Sequence, residues 1–160
     1  MAVFLSSFVN RIDKKGRVSV PASFRAVLGA EAPGIVLFRS LQYDALDGCS
    51  IAHLELLSQS LEKLDLAPEM YELIETTIFG GSVQVPFDSE GRITLPPQLA
   101  SAVGITEEVA FVGRRKTFQI WDPAKLAAHD AAARSAARAR DISLSKIIAQ
   151  AASRLEEGIN

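Results

Sequence analysis

The chain contains one cysteine, two histidines and no apolar run near the ~20 residues that a membrane-spanning helix needs. A single cysteine, Cys49, excludes an intramolecular disulfide framework and suits a reducing compartment. Lying between Leu46 and Ile51, it reads as a small packing residue rather than a nucleophile. His53 and His129 share no metal-ligand spacing with it, so neither a metal nor a cofactor is expected. A Gly-rich phosphate loop and a nucleophile elbow are both missing. Asp13 and Asp88 could be imagined as paired carboxylates, but each has an arginine four residues on that would hold it ionised and inert. The chain is therefore read as non-enzymatic. Its start, Met1 to Phe8, carries no basic leader, so neither a secretory signal nor a membrane partner is expected, and a cytoplasmic location is.

The net charge is small and the charges are unevenly spread. The net charge is −2, which does not favour a polyanion partner. Residues 1–30, however, hold Arg11, Lys14, Lys15, Arg17 and Arg25 against Asp13 alone. Residues 31–86 hold Arg39 and Lys63 against nine acids. A binding face depends on local charge, and segregation of this kind can orient a molecule on a polyanion.

What the sequence does contain is a repeat. Shifted by 75 residues, Ile12-Asp13-Lys14-Lys15-Gly16-Arg17-Val18-Ser19-Val20-Pro21 lies over Phe87-Asp88-Ser89-Glu90-Gly91-Arg92-Ile93-Thr94-Leu95-Pro96. Phe24 then lies over Leu99, and Gly29 over Gly104. Each copy predicts a strand, a tight Asp-x-x-Gly turn, a second strand, and a short helix opened by proline and closed by glycine. The first strands are placed at Phe8 to Ile12 and around Val83, Val85 and Phe87. Two more strands close each copy: Ile35 to Arg39 and Cys49 to His53 in the first, Val109 to Val112 and Thr117 to Trp121 in the second. A copy of ~45 residues buries too little surface to stand alone, so the two are expected to pack as one pseudo-symmetric β-rich body with helices outside.

Those helices are legible too. Leu54, Leu57, Leu61 and Leu64 have helical spacing, and Pro68 opens a second helix carrying Met70, Leu73, Ile74 and Ile78, stopped by Gly80-Gly81. Their apolar stripes exceed what one small barrel covers, which points to a homo-oligomer. Asp122-Pro123 starts an alanine-rich helix to Arg140, and Ser143 can cap a last one through Leu155.

The first turn carries the chemistry. Asp13 can accept from the N–H groups of its own turn, Gly16 permits the reversal, and Arg17 presents a planar guanidinium at the root of the returning strand. The Asp and Arg of either copy serve equally well as a turn staple, and an arginine can do both jobs. Lys14, Lys15 and Arg17 against Asp13 leave turn one at +2, whereas Arg92 against Asp88 and Glu90 leaves turn two at −1. A narrow loop of this kind can enter a groove with arginine for guanine edges and lysine for phosphates. Arg11, Lys14, Lys15, Gly16 and Arg17 are the candidate DNA contacts. Asp13, Asp88, Gly91 and Arg92 are the candidate turn-stabilising residues.

Phe4-Leu5-Ser6, the two Asp-x-x-x-Arg turns with their strands, and Phe118-Gln119-Ile120-Trp121-Asp122-Pro123 together resemble the MraZ family of bacterial transcriptional regulators with tandem SpoVT-AbrB domains. The resemblance covers nearly the whole chain. It implies an α+β fold: an internally duplicated, swapped-hairpin AbrB-like β-barrel with peripheral helices. Residues 1–53 would form the first SpoVT-AbrB domain, 54–81 a helical connector, 82–124 the second domain, and 125–160 the C-terminal helices. It also implies a ring-like homo-oligomer on double-stranded DNA at repeated promoter boxes. The expected role is repression of its own division and cell-wall gene cluster, at the nucleoid. Two positions depart from the family pattern: Ser6 stands where glycine is expected, and Gln119 replaces the usual acid before Ile120-Trp121, a change expected to bear on a ring contact. The alternatives are a structural assembly protein that ignores DNA, and an antitoxin-type AbrB regulator.

Overall fold

The computed structural model describes residues 2–159, which divide into two compact units, one through Lys125 and the other from Leu126 on. In the first unit the duplication appears as the same run of elements twice. The first copy has strands β1 (Ser7–Arg11) and β2 (Arg17–Ser19), helix α1 (Ala22–Leu28), and strands β3 (Gly34–Arg39) and β4 (Leu46–Cys49). The second has β5 (Val83–Pro86), β6 (Arg92–Thr94), α4 (Pro97–Ala102), β7 (Glu108–Gly113) and β8 (Phe118–Trp121). Between them lie α2 (Ile51–Glu62), α3 (Pro68–Ile74) and a π-helical turn over Glu75–Phe79.

The copies are exchanged in space, as the resemblance implies. Six strands form one antiparallel sheet in the order β1-β7-β8-β4-β3-β5, so the first strand of each copy pairs with the third strand of the other. Ser7 lies opposite Val112 and Arg11 opposite Glu108; in the reciprocal pair, Gly34 lies opposite Pro86 and Leu37 opposite Val83. The second strands, β2 and β6, pair with each other as a separate antiparallel ribbon. The ladders leave β1 and β5 as sheet edges, so the barrel is not closed by one continuous hydrogen-bonded ring.

Alternation explains the core. Val18 on β2 and Ile93 on β6 are register partners, each about 1% exposed, and they turn the ribbon's inner face to the sheet. Burying each contributes about 1.5–3 kcal/mol. Phe24 of α1 sits at the centre, its ring 5.2 Å from Phe4 and 5.4 Å from Phe118. Phe4 is held there by a backbone bridge to Arg115. Ser6, next along, adopts φ +74°, a left-handed conformation that glycine takes more easily, and its carbonyl accepts from Gly113 N–H at 2.9 Å.

One expectation needs correction. Cys49 to His53 is not a strand: pairing ends at Cys49 and α2 starts at Ile51. Ser50 explains the switch, because its side chain caps the helix by accepting from His53 N–H at 3.0 Å, and the leucines that follow have helical spacing. Gln119 is only 4% exposed, and its amide is engaged within the chain by Asp47 and Trp121. Cys49 is a packing residue, as expected: its thiol is buried and pushed up to about 11, by burial first and then by the charge of Asp47.

Helices α2 and α3 bury none of their residues completely; Leu56, Met70 and Leu73 on them, and Leu64 in the connection between them, remain exposed. Helix α5 (Pro123–Ala139) begins at the end of the first unit, with Asp122 Oδ2 accepting from Lys125 N–H at 3.1 Å. Within the second unit, α6 (Leu144–Glu157) is capped by Ser143, as its sequence predicts. Leu144, Ile147, Ile148 and Leu155 form an exposed apolar stripe along α6. Among the described residues no helix is long and apolar enough to cross a membrane.

Candidate nucleic-acid interface

The two hairpin turns have the same construction. In turn one, Asp13 and Arg17 close the hairpin through Asp13 N–H to Arg17 C=O at 2.9 Å, and Gly16 N–H returns to Asp13 C=O at 3.0 Å. Asp13 Oδ1 accepts from the backbone N–H of Lys15 and of Arg17, both at 2.9 Å, and Oδ2 accepts from Arg17 Nε at 2.7 Å. Turn two repeats this: Asp88 Oδ1 accepts from Glu90 and Arg92 N–H, both at 2.9 Å, and Oδ2 from Arg92 Nε at 2.8 Å. Gly16 and Gly91 complete the reversals at φ +80° and +75°, a region where a Cβ is strained. These donors hold both carboxyls below the usual carboxylate range, the backbone N–H of Arg17 or Arg92 being the largest cause. Each aspartate thus stays charged and its loop stays tied.

Pairing of β2 with β6 brings the turns together. Arg17 lies opposite Thr94 and Ser19 opposite Arg92, so the turns stand at the two ends of one short ribbon. With Val18 and Ile93 facing inward, strand alternation puts Arg17, Ser19, Arg92 and Thr94 on the outer face. Ser19 and Thr94 are exposed, the two arginines partly so. Asp13 also contributes to the raised pKa of Arg92, after Asp88 and Glu90, so the charges of the two turns sense one another.

Charge separates the turns. Arg92 is engaged by two carboxylates, Asp88 and, through Nη2 at 3.3 Å, Glu90. Among the described residues Arg17 pairs only with Asp13, which holds its Nε. Lys14 and Lys15 are exposed and, among the described residues, form no ion pair. Arg11 points outward from β1 directly across from Glu108, an acid that offsets its charge. Lys14, Lys15, Gly16 and Arg17 therefore form one cationic tip, and Arg11 stands apart in electrostatic terms.

Sequence reasoning did not single out Ser19, Thr94 or Arg25 as site residues. The first two were findable: if Val18 faces the core, residues 17 and 19 face out, and the repeat carries the same logic to 92 and 94. Arg25 needed the fold, because its Nε donates to Val20 C=O at 3.2 Å and its guanidinium rests against Gly91, in the other copy's turn. Among the described residues no three His, Cys, Asp or Glu side chains converge as they would to hold a metal ion. The tip and ribbon instead offer guanidinium, ammonium and hydroxyl donors, the groups that meet phosphate oxygens and base edges.

Comparison with known proteins decides the family. The chain is 45% identical over 146 residues to the transcriptional regulator MraZ of Rickettsia bellii (strain OSU 85-389), covering 90% of this chain and 97% of that protein. It is 48% identical over 124 residues to that of Rickettsia felis (strain ATCC VR-1525 / URRWXCal2), covering 77% and 83% respectively. This chain belongs to the MraZ family. The family's own model, described as "MraZ protein, putative antitoxin-like", matches residues 78–143, which contain turn two and β5 to β8. The resemblance carried by the paired turns is borne out, and these MraZ relatives are named transcriptional regulators.

Proposed function

We propose that this MraZ-family chain is a sequence-specific regulator that binds double-stranded DNA with the tip Lys14-Lys15-Gly16-Arg17 and the outer face of the β2–β6 ribbon. Arg17 reads a base edge, Lys14 and Lys15 meet phosphates, and Arg11 adds to the field at longer range. Asp13, Asp88, Gly91 and Arg92 keep the two loops in shape. Residues 1–53 and 82–124 act as the two SpoVT-AbrB domains, with 54–81 as helical connector and 125–160 as C-terminal helices. The observation that carries this reading is the tip itself: two exposed lysines that form no ion pair among the described residues, beside an arginine whose Nε alone is held by Asp13. A regulator also needs the loop pre-shaped, and three hydrogen bonds to Asp13 supply that.

The chain acts as a ring-like homo-oligomer on repeated promoter boxes, repressing its own division and cell-wall gene cluster at the nucleoid. Exposed apolar residues on α2 and α3 support self-association, and the names of the relatives support transcriptional control. The test is a fluorescence-anisotropy titration at about 0.15 M salt on DNA from the region upstream of its own gene, against a scrambled duplex. Specific binding should be at least about 10³-fold tighter. Equal affinity for both duplexes would overturn the reading.

A further inference from the structure

The repeat places Arg25 of α1 over Ala100 of α4, and this difference has a spatial meaning. Because β2 and β6 run antiparallel, α1 leaves the ribbon beside turn two and α4 leaves it beside turn one. Val20 N–H accordingly donates to Gly91 C=O at 3.2 Å, and Leu95 N–H to Gly16 C=O at 2.9 Å. Helical side chains lean toward the helix N-terminus, so Arg25 reaches back to turn two. A Cβ added at Gly91 would stand 2.7 Å from Arg25 Cζ and Nη1. A Cβ added at Gly16 would meet, among the described residues, only Thr94 Cγ2 at 3.9 Å, since Ala100 has nothing to extend.

Turn two therefore carries a cation lent by the other copy. Nε of Arg25 is fixed by Val20 C=O, and among the described residues no carboxylate lies within ion-pair distance of its guanidinium. Arg92, by contrast, is engaged by Asp88 and Glu90. A planar, partly buried guanidinium with its orientation set and its Nη groups without an acid is an anion-receptive group. We infer that Arg25 is a second DNA contact of each subunit, its guanidinium over turn two taking a backbone phosphate. The subunit then grips the duplex at both ends of the ribbon, through turn one by its own lysines and through turn two by Arg25. This inference rests on the DNA-binding function proposed above.

The test uses the full chain in its native assembly, with affinity measured from 50 to 200 mM salt on the upstream duplex and on a scrambled one. Each phosphate contact contributes about −0.9 to the slope of log K against log salt. Arg25→Gln should make that slope shallower by about 0.9 per engaged subunit, so that the affinity lost over this salt range shrinks by about 3.5-fold per subunit. The change should be the same on both duplexes, because a phosphate carries no sequence. Arg25→Lys, which keeps the charge and loses the planar bond to Val20, should keep the wild-type slope. It carries the test alone if Arg25→Gln fails to assemble. A slope that Arg25→Gln leaves unchanged overturns the inference, as does an Arg25→Lys slope shallower by about 0.9 per engaged subunit. If Arg17→Ala weakens specific binding while Arg25→Gln changes nothing, the tip reading stands and this inference alone falls. A wild-type protein that binds neither duplex removes both.

Discussion

Gln119 and Asp47, register partners on β8 and β4, are joined by a hydrogen bond of 2.9 Å from Gln119 Nε2 to Asp47 Oδ1. The same amide accepts from Trp121 Nε1 at 3.0 Å, so Gln119 uses a donor and an acceptor at once. A carboxylate at 119 could accept from Trp121 but would repel Asp47. Here the side chain bridges two strands on the sheet face opposite the core residues Phe118 and Ile120.

Asp47 gives the first prediction. Burial is the largest influence on its carboxyl and raises the pKa above the ordinary 3.8, against the pull of Gln119 and Arg114. An acid with a raised folded pKa favours the folded state most when protonated, so its penalty is absent below 3.8 and grows as pH rises through the folded value. Asp47→Asn keeps an acceptor for Gln119 without the charge. Its melting temperature relative to wild type should therefore be higher at pH 7 than at pH 3.5. Asp47→Ala strands the Gln119 donor and should cost about 1–3 kcal/mol at pH 7. A wild-type-to-Asn difference that does not move with pH would refute the assignment.

Ser6 gives the second. Its φ of +74° is imposed by the chain's need to leave the Phe4–Arg115 bridge and join β7. A left-handed L-residue costs roughly 1–2 kcal/mol, and the added unfolded-state freedom of glycine returns about 0.4–1 kcal/mol of that. Ser6→Gly should thus be neutral to slightly stabilising in urea unfolding. Ser6→Val, β-branched at positive φ, should lose more than about 1 kcal/mol. Equal stability of the Gly and Val variants would show that the backbone relaxes instead.

Most of the barrel could be read in advance because duplication and alternation report on the same residues. Val18 and Val20 predicted a buried face, their partners Ile93 and Leu95 repeated it, and Pro21 and Pro96 marked both helix starts. Leu46–Cys49 was missed because a strand with Asp47 and Gly48 at its centre lacks β-branched residues, and Ser50 hid its end. The tip was legible from charge alone. Its coupling to turn two was not, since that depends on strand exchange bringing residues 75 apart in sequence to one ribbon, and no local pattern encodes such a pairing. For the same reason Arg25 read as one more cation near the N-terminus.

The third prediction separates the turns. Arg17→Ala should weaken specific DNA binding by about 1–3 kcal/mol, the range for one lost bidentate contact, with circular dichroism unchanged. Folding should survive because the bonds from Lys15 and Arg17 N–H to Asp13 Oδ1 involve only backbone donors. Arg92→Ala frees Asp88 and Glu90 and should act mainly on stability or assembly. If Arg92→Ala abolished binding in a correctly assembled protein while Arg17→Ala did not, the roles would have to be exchanged.

The last prediction concerns why the DNA sites should be repeated. The tip of one subunit carries three cations, Lys14, Lys15 and Arg17, and even with Arg25 its phosphate-driven affinity sits near the non-specific level, on the order of 10⁻⁴–10⁻⁶ M. Gene-specific control needs roughly 10⁻⁸ M or better. Duplication within the chain does not close that gap, because turn two is acidic in its own residues and its arginine is already engaged. Neighbouring subunits of an oligomer can close it, since each further tip binds at high effective concentration once the first has docked. Tight binding should then require two or more short boxes about one helical turn apart, so that successive tips enter grooves on one face of the duplex. Inserting about five base pairs between boxes rotates one of them to the far face and should sharply reduce affinity, while inserting about ten should restore much of it. Arg17→Ala should flatten this dependence, because a weakened tip contributes less at every docking step. Equal affinity for one box, for two, and for the half-turn insertion would show that each subunit binds alone and that the oligomer plays no part in recognition.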